Sequence, residues 1–160
     1  MNKRMILALG VAMLAGCATG VRHDPATSPE RATTCEPIDE RAVAGLFERW
    51  NASLQTGDPK KVVGNYAERS ILLPTLSGKN RITRHEKEDY FKHFLADKPT
   101  GTVTARQIDV GCNMVADSGL YTFTMARTGK KVHARYTYVY KWENGAWLIT
   151  HHHSSMLPEH

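Results

Sequence analysis

Long apolar runs, metal-type cysteine spacings and basic clusters are all scarce in these 160 residues, and each scarcity removes a class of function. The most extended apolar run, Met5–Ala15, is too short to span a bilayer. Cysteine occurs three times, as Cys17, Cys35 and Cys112, with no closely spaced pair of the kind that holds zinc. The formal net charge of +5 is spread along the chain without a run of Lys or Arg, so nucleic acid is not an expected partner. Ser154 and Ser155 lack the surrounding glycines of a nucleophile elbow, which removes a Ser–His–Asp hydrolase. There is no internal repeat.

What is present at the N-terminus is a processing pattern. Met1–Arg4 is basic, Met5–Ala15 is apolar, and Leu14-Ala15-Gly16-Cys17 follows at once, as in a secretory leader. The Leu-Ala-Gly-Cys tetrapeptide resembles the bacterial lipoprotein signal, in which the cysteine is acylated; an ordinary cleaved leader is the alternative. Acyl chains on Cys17 would hold a membrane at about 0.8 kcal/mol per buried methylene. Ala18 after the cysteine, rather than Asp, implies the outer membrane in the usual sorting pattern. The expected organisation is a leader over 1–17, a flexible tether over 18–37 and one folded domain over 38–160. The expected location is the periplasmic face of a bacterial membrane, or a soluble periplasmic or secreted form if Cys17 is not acylated. The tether is Pro-containing and poor in large apolar residues, so it cannot bury a core. Export would place Cys35 and Cys112 in an oxidising compartment where a disulfide between them persists; two free thiols are the alternative.

Within the domain, Val43, Leu46, Phe47, Trp50 and Leu54 recur at helical spacing behind a capping Asp39. Asp58-Pro59 starts a second short helix. Ser70–Leu73 reads as a strand, and Thr83 with Glu86 as a capping box opening a third helix. Thr102–Val110, Leu120–Arg127 and a C-terminal hairpin follow as strands, with turns expected at Asp117-Ser118-Gly119 and Thr128-Gly129-Lys130. Helices first and a meander afterwards predict an α+β fold, with helices packed on one face of a curved, mainly antiparallel sheet and a cavity between them.

Asn144-Gly145 is the strongest hairpin signal, because a type I′ turn needs two residues with positive φ. Counting outward from it, Trp142 faces Trp147, Tyr140 faces Ile149, Tyr138 faces His151 and Tyr136 faces His153. Alternation then gives one aromatic face ending in His151 and His153, and a mixed face carrying Arg135, Thr150, His152 and Ser154.

The segments LFERWNASLQTGDPKKVVGNYAERSILLPTLS, DYFKHFLADKP and KWENGAWLITHHHSSMLPE resemble the nuclear transport factor 2-like superfamily, including the SnoaL-like proteins. Within it they most resemble bacterial proteins similar to the association (hub) domain of calcium/calmodulin-dependent protein kinase II. The resemblance covers Ile38 to Glu159, and its most specific part is Gly145, Trp147, Ile149, His151 and His153. It implies a cone-shaped fold, self-association as a dimer or larger ring, and a pocket containing arginines. The family's pocket arginines fall at Tyr138 and near Met125 here. Arg127 or Arg135 would have to substitute, and Arg135 lies on the opposite hairpin face unless a bulge intervenes. No glycine-rich loop or catalytic loop is present, so no kinase activity is implied.

The expected ligand-binding set is Tyr66, Tyr90, Tyr121, Arg135, Tyr138, Trp147, His151 and His153, lining a pocket for a small anionic or aromatic ligand. Most of these aromatics are core residues at this spacing, with two or three reaching the cavity. His151 and His153 share a face but lack a third protein ligand, so no metal and no cofactor are expected. Asp109 and Asp117 fall near expected strand ends, leaving no carboxylate on the cavity face. The expected function is therefore an exported, lipid-anchored, oligomerising ligand-binding module. The alternative is a small SnoaL- or isomerase-type enzyme using His151 or His153 as general base.

Overall fold

A computed structural model describes residues 34–75 and 77–158. The leader, Cys17 and most of the tether lie outside the described residues. Asp39 caps α1 (Glu40–Leu54) by accepting from the Ala42 amide, and Asp58 caps α2 (Pro59–Val63). Then come β1 (Tyr66–Leu73) and α3 (Arg84–Phe94), whose Thr83–Glu86 capping box forms on both sides. The remaining strands are β2 (Pro99–Gly111), β3 (Met114–Met125), β4 (Lys131–Glu143) and β5 (Ala146–Met156). The five strands lie in the order β1-β5-β4-β3-β2, antiparallel except for the parallel β1–β5 pair. This is the α+β cone expected from the sequence. Among the described residues no helix is long and apolar enough to cross a membrane.

The core is unusually aromatic. Phe47 and Trp50 of α1 pack on Tyr121, Phe123, Tyr136 and Tyr138 of the inner sheet face, with ring centroids about 6 Å apart. One turn differs from expectation. Asp117-Ser118-Gly119 lies inside β3, and the chain instead reverses at Cys112-Asn113, where Asn113 takes φ 54°. Asparagine tolerates that left-handed conformation better than most side chains. Gly119 is needed for a different reason: a β-carbon there would sit 2.0 Å from the carbonyl oxygen of Ala105, where a bulge in β2 presses inward.

The hairpin turns at Asn144-Gly145 with positive φ at both positions, as read. Its register holds through Tyr140–Ile149, then slips. Val139 pairs with His151, Tyr138 with His152 and Tyr136 with Ser154, leaving Thr150 as the extra residue. The Thr150 hydroxyl donates to the Val139 carbonyl at 3.1 Å. The slip moves every later side chain of β5 to the other face. His152 and Ser154 are buried, while His151 and His153 are exposed on the outer face, reversing their expected placement.

A Cys35–Cys112 disulfide joins the start of the domain to the β2–β3 turn across 77 residues of sequence. Asn113 reinforces it: its side-chain oxygen accepts from the Glu36 amide at 2.7 Å, and its amide donates to the Thr34 carbonyl at 3.1 Å. Closing a loop of this length is worth about 2–4 kcal/mol, much of it through the unfolded state. Cys112→Ser should therefore lower the urea midpoint under oxidising conditions, and dithiothreitol should lower the wild type to the same level. An unchanged midpoint in both experiments would show that the crosslink contributes nothing.

Candidate functional site

The hollow between the helices and the inner sheet face encloses about 410 Å³, within the about 300–1,000 Å³ range of small-molecule pockets. Its walls are chiefly aromatic and aliphatic, with Trp50, Phe91, Phe94, Phe123, Met125 and Val132 among them. These come from α1, α3 and the inward positions of β3 and β4, so the same alternation that builds the core builds the pocket.

His152 supplies the central polar group. The side chain is 4% exposed, stacks on Tyr138 at 4.2 Å between centroids and meets Trp50 edge-on at 5.4 Å. Its Nδ1 is hydrogen-bonded to the Tyr66 hydroxyl at 2.7 Å, while Nε2 has no partner among the described residues. Burial, with a smaller contribution from the charge of His153, drives the imidazole pKa down from 6.5 to about 3. The ring is therefore neutral across the physiological range. Beside it, the Tyr121 hydroxyl donates to Ser154 Oγ at 2.5 Å, and Ser154 also meets Thr75 Oγ1.

The cavity's cation is Arg81, which the sequence reading missed. An isolated two-residue bridge to β1 places it, with the Leu72 and Arg81 amides each donating to the other's carbonyl at 2.9 Å. The guanidinium lies 5.8 Å from the Tyr90 ring centroid. Its Nη1 contacts Asp89 Oδ2 at 3.3 Å, but Asp89 is half exposed, and Arg81 Nε has no protein partner. Such a solvent-exposed pairing neutralises the guanidinium weakly.

Of the eight expected ligand residues, Tyr90 and Tyr121 line the cavity. Tyr66 and Tyr138 stand behind it, holding His152. Trp147 packs on Trp142 near the hairpin tip, outside the cavity lining. Arg135, His151 and His153 are exposed and face away from it. Arg127 pairs with Asp97 in the loop before β2, with Nε at 2.7 Å from Oδ1. Asp117 corrects the expectation about carboxylates. It is wholly buried on the inner face, accepting from Arg106 Nε at 3.1 Å and from the Tyr136 hydroxyl at 2.9 Å. It does not line the cavity, whereas Asp97, the partner of Arg127, does.

The neutral state of His152 has a thermodynamic consequence. Between pH 6.5 and about 3 the unfolded chain binds a proton at this position that the folded chain does not. Stability is therefore lost as pH falls through that window, by at most about 1.4 kcal/mol per pH unit. Urea unfolding of the wild type and His152→Phe at pH 7, 5.5 and 4.5 should show a shallower pH dependence in the variant. Parallel curves would contradict the depressed imidazole pKa.

The family model described as the calcium/calmodulin dependent protein kinase II association domain matches residues 39–158. A crystal structure of an association-domain protein of that description from Xanthomonas campestris is 45% identical, covering 77% of this chain and 91% of that one, with a TM-score of 0.73. A nuclear transport factor 2-like protein from Pseudomonas putida is 13% identical, covering 76% and 89%, with a TM-score of 0.65. Another, with a cystatin-like fold, from Novosphingobium aromaticivorans is 10% identical, covering 74% and 82%, with a TM-score of 0.62. At those identities the last two share the fold alone. No curated protein matches the chain. With three-quarters of its length matched by one family and a close structural relative at 45% identity, the chain belongs to the calcium/calmodulin dependent protein kinase II association domain family.

Proposed function

We propose that this protein is a self-associating module that binds a small anion with an aromatic or aliphatic body. The observation that carries the reading is Arg81, a weakly paired guanidinium lining a chiefly apolar cavity whose carboxylate, Asp97, is already paired with Arg127. The guanidinium would take a carboxylate, the rings would take the body, and His152 Nε2 would offer one further hydrogen bond. An export leader and acylation of Cys17 remain part of this proposal, resting on the sequence of residues 1–17. The enzyme reading is less well supported. An imidazole whose conjugate acid has a pKa of about 3 accepts a proton reluctantly, and the exposed His151 and His153 face away from the cavity.

Phenylacetate is a suitable probe because Trp50 lines the cavity and its fluorescence reports occupancy. Titration should change the emission of the wild type, and Arg81→Gln should weaken binding about tenfold or more, the value of one charge-assisted contact. Phenylacetate and benzoate both leaving the emission and the thermal midpoint unchanged would count against an anion pocket.

Family membership points to self-association. The outer sheet face offers Ala116 and Leu120 of β3, Val139 of β4 and Leu148 of β5, all only half-buried in one protomer. A second copy packed there would cover them, as sheet-on-sheet contacts do. Light scattering of residues 34–160 should give a multiple of the protomer mass, and Val139→Asp should shift it toward the monomer. A wild-type monomer at micromolar concentration would remove the association reading while leaving the pocket intact.

A further inference from the structure

A second groove, of about 930 Å³, is bounded by β1, the first turn of α3 and the bulge of β5, and shares no lining residue with the aromatic cavity. It contains an electrostatic imbalance. Lys87 is 1% exposed, yet among the described residues its ammonium has only the Ile82 carbonyl as a partner, at 2.5 Å. An ammonium carries three donors, so two remain unused. Among the described residues no carboxylate forms an ion pair with it. The nearby Glu86 is committed elsewhere, to Lys79 at 3.1 Å and to the Ile82 and Thr83 amides that close the capping box.

Three unfavourable effects coincide at this one side chain. Burial strips water from a charge. The first turn of α3 presents the positive end of a helix dipole to it, where an acid would be favoured. Arg84, one turn earlier and held only loosely by Glu88 at 3.8 Å, adds like-charge repulsion. Arg69 of β1 also lines the groove, is exposed and has no ion pair among the described residues. The one acid in the lining is Glu68, also exposed, and His151 lies at the rim contributed by β5. A bound anion offsets all three at once, because the ammonium, the helix N-terminus and Arg84 each attract it. A buried ammonium that lacks a protein counter-ion but faces an open groove has the features of half an ion pair.

We propose that this groove is a second ligand site, taking a phosphate group, with Lys87 as its buried contact and Arg69 and Arg84 as outer contacts. Lysine serves phosphate as a point charge, and a tetrahedral oxyanion has enough acceptors to meet several donors together. The group is either part of a soluble phosphate compound or a lipid headgroup, since the recognition chemistry is the same.

The test uses inorganic phosphate against chloride at matched ionic strength, read as a thermal midpoint and by phosphorus NMR line-broadening. Phosphate should raise the wild-type midpoint above the chloride value. Lys87→Met, which keeps the buried volume but removes the charge, should weaken the apparent phosphate affinity about tenfold or more. Arg69→Gln, at an exposed position that leaves the fold untouched, should weaken it less and provides the readout if Lys87→Met folds poorly. Arg81→Gln should leave the phosphate response unchanged, so failure of the aromatic pocket and failure of this groove remain distinguishable. Sedimentation with phosphatidylglycerol vesicles, abolished by Lys87→Met, would assign the phosphate to a lipid headgroup; a phosphate response without sedimentation would assign it to a soluble compound. Equal responses to phosphate and chloride, or a phosphate response that survives both Lys87→Met and Arg69→Gln, would overturn the proposal.

Discussion

The polar chemistry of the cavity depends on one extra residue in β5. Side chains alternate strictly along a strand, so a single bulge at Thr150 exchanges the two faces of everything after it. Before the bulge, Trp147 and Ile149 point inward and complete the core; after it, His152 and Ser154 do. Without the bulge, His151 and His153 would enter the aromatic interior together, bringing two imidazoles where one now fits between Tyr138 and Trp50. The bulge also gives the sheet local twist, which a strongly curved sheet over a helix needs. Curvature and site chemistry thus share one cause.

Among the buried polar side chains, His152 and Asp117 meet the same low polarity differently. His152 resolves its burial by staying neutral, with Tyr66 holding one nitrogen and the other without a hydrogen-bond partner among the described residues. Asp117 responds in the opposite sense, since burial raises its pKa against the opposing effects of Arg106 and the Tyr136 hydroxyl. It retains a partner because Arg106 spans β2, its guanidinium 5.8 Å from the Phe47 ring centroid, while its side chain remains partly exposed. A buried pair of this kind is weak evidence for stability. Its position away from the cavity lining makes it a structural element that the ligand would not meet.

Much of the fold was legible because it rests on local rules. Asp39, Asp58 and the Thr83–Glu86 box announce helix starts, and Asn144-Gly145 announces its hairpin, each through backbone groups within a few residues. The site was less legible because its decisive features are not local. Nothing in Ile149-Thr150-His151 marks Thr150 as the bulged residue; the slip follows from how β5 must fit between β1 and β4. Arg81 enters the cavity through a bridge to Leu72 across a loop, a pairing that no periodicity encodes. Asp117-Ser118-Gly119 has the composition of a turn, but Gly119 answers the close approach of the Ala105 carbonyl in the neighbouring strand. A glycine required by a turn and a glycine required by crowding look the same in one dimension.

The balance of charge inside the cavity favours holding a ligand over transforming one. Proton transfer needs a group whose pKa lies near the working pH, and burial has moved the cavity's imidazole far below it. Tyr90 and Tyr121 are moved the other way by burial, so their hydroxyls also remain protonated. What is left in the lining is a set of hydrogen-bonding groups, the permanent cation Arg81, His93, and Asp97, whose carboxylate is already paired with Arg127. Such a set offers an anion one guanidinium and several hydrogen bonds, and no group poised for proton transfer at His152, Tyr90 or Tyr121. The exposed His151 and His153 of β5 lie on the other face, outside this cavity. The bulge therefore separates one buried, neutral imidazole from two exposed ones within three consecutive histidines, and the two faces can be altered independently by substitution.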